Sequence, residues 1–135
     1  MDDDTSQLVT NSHLLVQAMG FWPSFHDANL LSAVRGRDTC RALAHVHEPT
    51  SEVDANGYSV LRGHHLVTLE MLGVSECTLP RDFDGDVLDH LAAVRLGELI
   101  DVRFESVIDP DRCWHVICQE VAIRDVVPCG PHGEL

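Results

Sequence analysis

The spacing of apolar residues changes along the chain. In residues 11–20 they recur four apart, Leu14 with Ala18 and Leu15 with Met19. That spacing predicts a short helix, capped by Asn11 or Ser12 and stopped at Gly20, which takes the left-handed conformation at little cost. Trp22-Pro23 then breaks the chain, because proline cannot continue a helix and restricts the residue before it. From residue 28 the period is two. Ala28–Arg35 and Cys40–Glu48 read as strands joined through Gly36-Arg37-Asp38. In the second, Ala42, Ala44 and Val46 share one face and Arg41, Leu43, His45 and His47 the other. Pro49–Gly57 reads as a polar loop and Tyr58–Leu61 as a short strand. His64–Leu72, apolar on both faces, reads as a central strand, and Val74–Leu79 as a bulge or a new strand.

Pro80–Gly85 is a turn sequence. Asp86–Ala93, with Val87/Leu91 and Leu88/Ala92 four apart, predicts a second short helix. Glu98–Val107 alternates cleanly, Asp109-Pro110-Asp111-Arg112 is a turn, and Cys113–Val127 reads as one long strand, making 98–127 a hairpin. The expected fold is a β-rich α+β domain of mainly antiparallel strands over residues 11–127. A flexible acidic end (1–10) precedes it and an irregular tail (128–135) follows. A chain of 135 residues suits one domain that needs no disulfide or metal for stability.

Charge narrows the partners. Nine basic residues, all arginine, stand against 22 acidic ones, a net charge of −13. Such a surface repels nucleic acid and anionic membranes and attracts a basic protein, although acidity also serves solubility alone. No stretch approaches the roughly 20 apolar residues of a membrane-spanning helix, and Met1-Asp2-Asp3-Asp4 has the wrong sign for a secretory signal. The five scattered cysteines fit reduced thiols, so a cytoplasmic location is expected.

Nine histidines raise the question of metal. His45 and His47 share a strand face and are the weak metal candidates, while His64 and His65 point to opposite faces. Cys113-x-His115-x-x-Cys118 splits across two faces, and no second pair completes a known spacing. Asp82-Phe83-Asp84-Gly85-Asp86 fails as a calcium loop because its glycine is fourth rather than sixth. It reads instead as an acidic turn capping the expected helix. Ser24 or a cysteine beside His26 lacks a nucleophile elbow, and no glycine-rich phosphate loop is present. These residues indicate no cofactor and no catalytic group.

One segment concentrates chemistry. Phe21-Trp22-Pro23-Ser24-Phe25-His26-Asp27-Ala28 reads as a plug in which Trp22 and Phe25 close the core, Pro23 aims them, and His26 and Asp27 tie the backbone. Trp22, Pro23, Ser24, Phe25, His26 and Asp27 are thus expected to be structural. The stretch resembles the W-P-S-F-H-D-A signature of immunity protein family number fifty of bacterial polymorphic toxin systems. Glu52–Tyr58, His64–Leu69 and Asp82–Leu88 are similar to later segments of that family, with Asp84-Gly85-Asp86 departing from its polar pattern. The resemblance implies a cytoplasmic protein that neutralises a cognate, basic toxin domain by direct binding. Glu48, Glu52, Asp54, Asp82, Asp84 and Asp86 are the candidate contacts. The alternatives are a small metal-binding protein or hydrolase using the histidines, and an assembly β-domain without activity. Oligomeric state is left open.

Overall fold

The computed structural model describes residues 5–109 and 111–135; the acidic residues 2–4 and Pro110 of the expected turn lie outside them. The chain is a β-rich single domain, with 57% of the described residues in strands and 9% in helices. In order it runs α1 (Thr5–Leu8), β1 (Val9–Thr10), α2 (Ser12–Met19), β2 (Asn29–Arg35), β3 (Thr39–Val53) and β4 (Ser59–Leu72). There follow β5 (Glu76–Cys77), β6 (Asp86–Leu96), β7 (Leu99–Ser106), β8 (Cys113–Cys118) and β9 (Glu120–Pro128). The strands form one sheet in the order β1-β9-β4-β3-β2-β6-β7-β8-β5, antiparallel except for β1 beside β9. β2 and β6 share only two rows, Asn29–Val87 and Leu30–Asp86. β7 nonetheless touches β9, and β4 touches β8, so the sheet curls at this narrow joint and its two halves face one another.

The alternation read from sequence decides which side faces in. Ala42, Ala44 and Val46 of β3 are buried with Val67, Leu69 and Met71 of β4 and Ile123 of β9. The other half contributes Leu88, Leu91, Val102, Phe104 and Val116 to the same core. Burying these side chains is the main favourable term, the larger ones contributing about 1.5–3 kcal/mol each. α2 forms where expected. Gly20 ends it at φ 90°, its N–H donating to the Val16 carbonyl at 2.7 Å. Asn11 sits in the left-handed region and makes no side-chain cap.

Four expectations need correction. Residues 86–93 are strand, not helix: β6 carries a bulge between Leu88 and His90, so its inward residues fall at 86, 88, 91 and 93. The extra residue turns a period of two into a three-residue step, which mimics helical spacing. Residues 113–127 are two strands, split at Gln119, whose N–H donates to the Leu72 carbonyl at 2.9 Å and the Gly73 carbonyl at 3.2 Å. β8 stays with β7, while β9 crosses to β4. The stretch taken as a polar loop and a separate strand belongs to the long β3–β4 hairpin. Residues 5–10, expected to be a flexible end, are ordered: Thr5 is buried, and Val9–Thr10 pairs with Val121–Ala122. Beyond Pro128 the tail carries no helix or strand.

Candidate functional site

The expected plug divides into two halves. Pro23 and Phe25 are buried and Trp22 is half-buried, with the Trp22 and Phe25 rings 5.8 Å apart. Ser24, His26 and Asp27 are exposed. Phe25 and Asp27 adopt φ of 65° and 63°, a region that bulky residues rarely enter. The turn is held from outside: the Asp27 N–H donates to the Leu88 carbonyl and the Leu88 N–H to the Ala28 carbonyl, both at 2.8 Å. Backbone in such a conformation persists only where its surroundings impose it. The His26 ring reaches the Asp89 carboxylate at 3.2 Å and lies 3.5 Å from Asp27. Ser24 Oγ accepts from the His26 backbone N–H at 3.2 Å.

The exposed half of this segment forms one wall of a cleft of about 160 Å³, with His47, Glu48, Pro49 and Leu61 of the hairpin opposite. Behind the cleft lies a grouping that sequence reading missed. The hairpin register brings His64 of β4 to the face that carries His45 and His47 of β3. Ring centres are 5.1 Å apart for His45–His64 and 5.7 Å for both His45–His47 and His47–His64. His45 Nε2 meets His64 Nδ1 at 2.9 Å, so one of those nitrogens carries the proton and the other accepts it. His47 Nε2 lies 3.2 Å from the Asp27 carbonyl, to which only an N–H can bond. Its Nδ1 is buried without a hydrogen-bond partner among the described residues. Burial holds both His45 and His47 below the usual imidazole range, helped at each by the neighbouring rings. The tail closes over the group, with Gly133 packed beside His45 and Leu31. Register was the missing signal: two histidines nineteen residues apart meet only if the turn between them has the right length. His65 points away, as expected.

The acidic candidates do not form one surface. Asn29 pairs with His45 on one side and Val87 on the other, and Leu30 pairs with Asp86. The tip with Glu52 and Asp54 therefore lies on one side of that row, roughly 25 Å along β3 at about 3.3 Å per residue. The turn with Asp82 and Asp84 lies on the opposite side. Asp86 differs from the other candidates in being sealed from solvent. Its carboxylate is fully buried and accepts from Ser106 Oγ at 3.1 Å and Arg112 at 3.2 Å. Glu48 is half-buried and paired with Arg62 at 2.8 Å. Asp82 and Asp84 are exposed, flanking Phe83, whose ring packs edge-on against Trp114 at 5.1 Å. No helix follows this turn for it to cap.

At the hairpin tip Asp54 staples the loop. Its Oδ1 accepts from the Asn56 and Tyr58 N–H groups at 2.8 and 3.0 Å, and its own N–H donates to the Tyr58 carbonyl at 2.8 Å. The staple holds outward two large apolar side chains, Val53 (64% exposed) and Tyr58 (71%). Glu52 beside them is exposed. Elsewhere, Arg41, Arg62, Arg103, Arg112 and Arg124 are each paired with a carboxylate of the chain's own. His115 of the Cys113–Cys118 motif is bound to Asp101 at 3.0 Å, while Cys118 is in the core. All five cysteines are free thiols. Among the described residues, no helix is long and apolar enough to cross a membrane. Comparison with protein-family models, with curated proteins and with solved structures finds no match to this chain.

Proposed function

We propose that this chain is an immunity-type binding protein that neutralises a basic toxin domain by direct contact, acting in the cytoplasm and without catalysis. The observation that carries this reading is the stapled hairpin tip, which holds Val53 and Tyr58 outward beside Glu52 on a chain of net charge −13. Exposed aromatic anchors supply much of the energy in protein interfaces, and a loop already fixed by its own hydrogen bonds loses little entropy on docking. The surrounding negative charge steers a basic partner to the tip. Pairing of arginines with the chain's own carboxylates leaves Glu52 free for a partner's cations. Free thiols suit a reducing compartment. The resemblance of Trp22–Ala28 to the immunity family supplies the toxin as the class of partner.

The test is capture of partners from the source organism on immobilised protein at low salt, with Glu52→Lys/Tyr58→Ala beside the parent. The expected result is a stoichiometric basic protein with a toxin-like domain, released by raised salt and not held by the variant. A partner held equally by the variant would remove the tip from the interface. Self-association with no foreign partner would favour an assembly domain instead.

A further inference from the structure

We propose that His45, His47 and His64 bind one Zn²⁺ ion through their imidazole nitrogens, with water completing the coordination. The site is separate from the hairpin tip and does not depend on the toxin-binding reading.

His47 carries the argument. Its Nε2 bonds the Asp27 carbonyl at 3.2 Å, and a carbonyl can only accept, so Nε2 holds the proton. In the neutral ring Nδ1 then presents a lone pair, and this atom is buried with no hydrogen-bond partner among the described residues. A histidine whose one nitrogen donates to a backbone carbonyl while the other is left unbonded has the arrangement of a metal ligand.

The spacing of the rings agrees. Imidazoles bound to zinc at about 2.0–2.1 Å and spread at tetrahedral angles have ring centres roughly 5 Å apart. The three separations here are 5.1, 5.7 and 5.7 Å. The facing nitrogens of His45 and His64, 2.9 Å apart, would separate by a few tenths of an ångström to share an ion. Among the described residues no three ligating side chains already stand around a common point, so the rings must turn. Binding therefore replaces the His45–His64 hydrogen bond with two metal bonds and gives the orphaned Nδ1 a partner. His47 also lines the cleft beside Phe21, His26 and Asp27, which offers the ion a route in from solvent. Three neutral imidazoles select a borderline ion such as zinc over magnesium or calcium.

The test uses the full-length chain without an affinity tag, kept reduced and titrated with Co²⁺ and then Zn²⁺. The expected result is about one equivalent of cobalt with the visible absorption of a tetrahedral nitrogen-ligated ion, displaced by zinc. His47→Asn and His64→Asn, both half-buried positions, should each weaken binding by about tenfold or more, whereas His65→Asn on the opposite face should not. Because a variant may misfold, the parent's imidazole nitrogen resonances provide a second reading, and zinc should move those of His45, His47 and His64 together. No uptake in excess zinc, affinity unchanged in the variants, or a thiolate-to-cobalt charge-transfer band would each overturn the proposal.

Discussion

Asp86 offers a sharp test of the fold. Its carboxylate has no solvent exposure and joins three elements at the narrow joint of the sheet. Oδ1 accepts from its neighbour Val87 N–H at 2.8 Å and from Ser106 Oγ at 3.1 Å, and Oδ2 accepts from Arg112 at 3.2 Å. Ser106 Oγ in turn accepts from the N–H groups of Ile108 and Asp109, at 3.1 and 3.2 Å, and so shapes the β7–β8 turn. Removing one partner of a fully buried ion pair costs about 3–5 kcal/mol, because a bare charge stays behind. Arg112 is 41% exposed, so water can reach its place at Oδ2, and two hydrogen bonds to Oδ1 survive its loss. Arg112→Ala should therefore cost only about 2 kcal/mol. Asp86→Ala removes all three bonds, at roughly 1 kcal/mol each, and orphans the Ser106 hydroxyl and the Val87 N–H, for a total of about 3 kcal/mol or more. Its arginine partner simply returns to water.

The order is the diagnostic result: the acid should matter more than the base. Urea unfolding of the two single variants and the double variant, followed by circular dichroism, measures it. Tryptophan fluorescence is a poor probe here because Arg112 lies over the Trp114 ring at 5.4 Å. The coupling between the two changes should be about 1–2 kcal/mol. If Asp86→Ala lies within about 0.5 kcal/mol of the parent, as a surface substitution would, the buried-carboxylate reading is wrong and Asp86 returns to the candidate contacts.

Three further predictions concern pH, thiols and backbone. Burial alone would raise the Asp101 pKa, but the hydrogen bonds from His115 and Arg103 outweigh it and hold the carboxyl below the usual aspartate range. Its contribution is thus present above the unfolded value and lost as pH falls through the folded one. The parent should lose more stability than Asp101→Asn between about pH 5 and pH 2, as thermal melts would record. Burial, helped by neighbouring Cys77, pushes the Cys40 thiol up to about 12, and burial pushes Cys118 to about 11. Their thiolate fractions at neutral pH are about 10⁻⁵ and 10⁻⁴, so neither should be alkylated in the native protein, and mass spectrometry finding label on either would show that its strand opens. Gly73 and Gly97 both sit at φ 63°, where alanine costs about 1–2 kcal/mol. A Cβ at Gly73 would also meet Cδ, Cγ and Oε1 of Gln119 at 2.6–2.7 Å; if the whole side chain swings aside, both alanine variants should fall by similar amounts in urea unfolding. A much larger loss at Gly73 would mean that Gln119 cannot move.

Much of the β architecture was legible because it depends on period alone. β2, the first half of β3 and β7 lie where alternation placed them, and the faces of β3 hold residue by residue. β6 was misread for a physical reason. A bulge adds one residue to one strand, and no composition marks it; Val87/Leu91 and Leu88/Ala92 look like pairs on one helical face, yet in each only the leucine is buried. The division of 113–127 was hidden in a different way. Gln119 ends β8 by bonding to the carbonyls of Leu72 and Gly73, at and just past the end of β4, and period carries no record of those partners.

The sites follow the same division between local and distant information. The signature segment stood out by composition; Phe25 and Ala28 lie in the core and Trp22 packs against it, while Phe21 is 41% exposed. The strain at Phe25 and Asp27 and the cleft they border depend on the backbone bonds to Leu88. Charge marked Asp86 as no different from Asp82 or Asp84, yet one is sealed under Arg112 and Ser106 while the others face water. His45 and His47 were visible as a pair because strand alternation places i and i+2 together. His64 joined them only through the register of a hairpin whose length was underestimated. A pair of imidazoles on a strand is an ordinary surface feature. The third ring gives the group the number of ligands a zinc ion with an open position requires, and the unbonded nitrogen of His47 gives it a free acceptor.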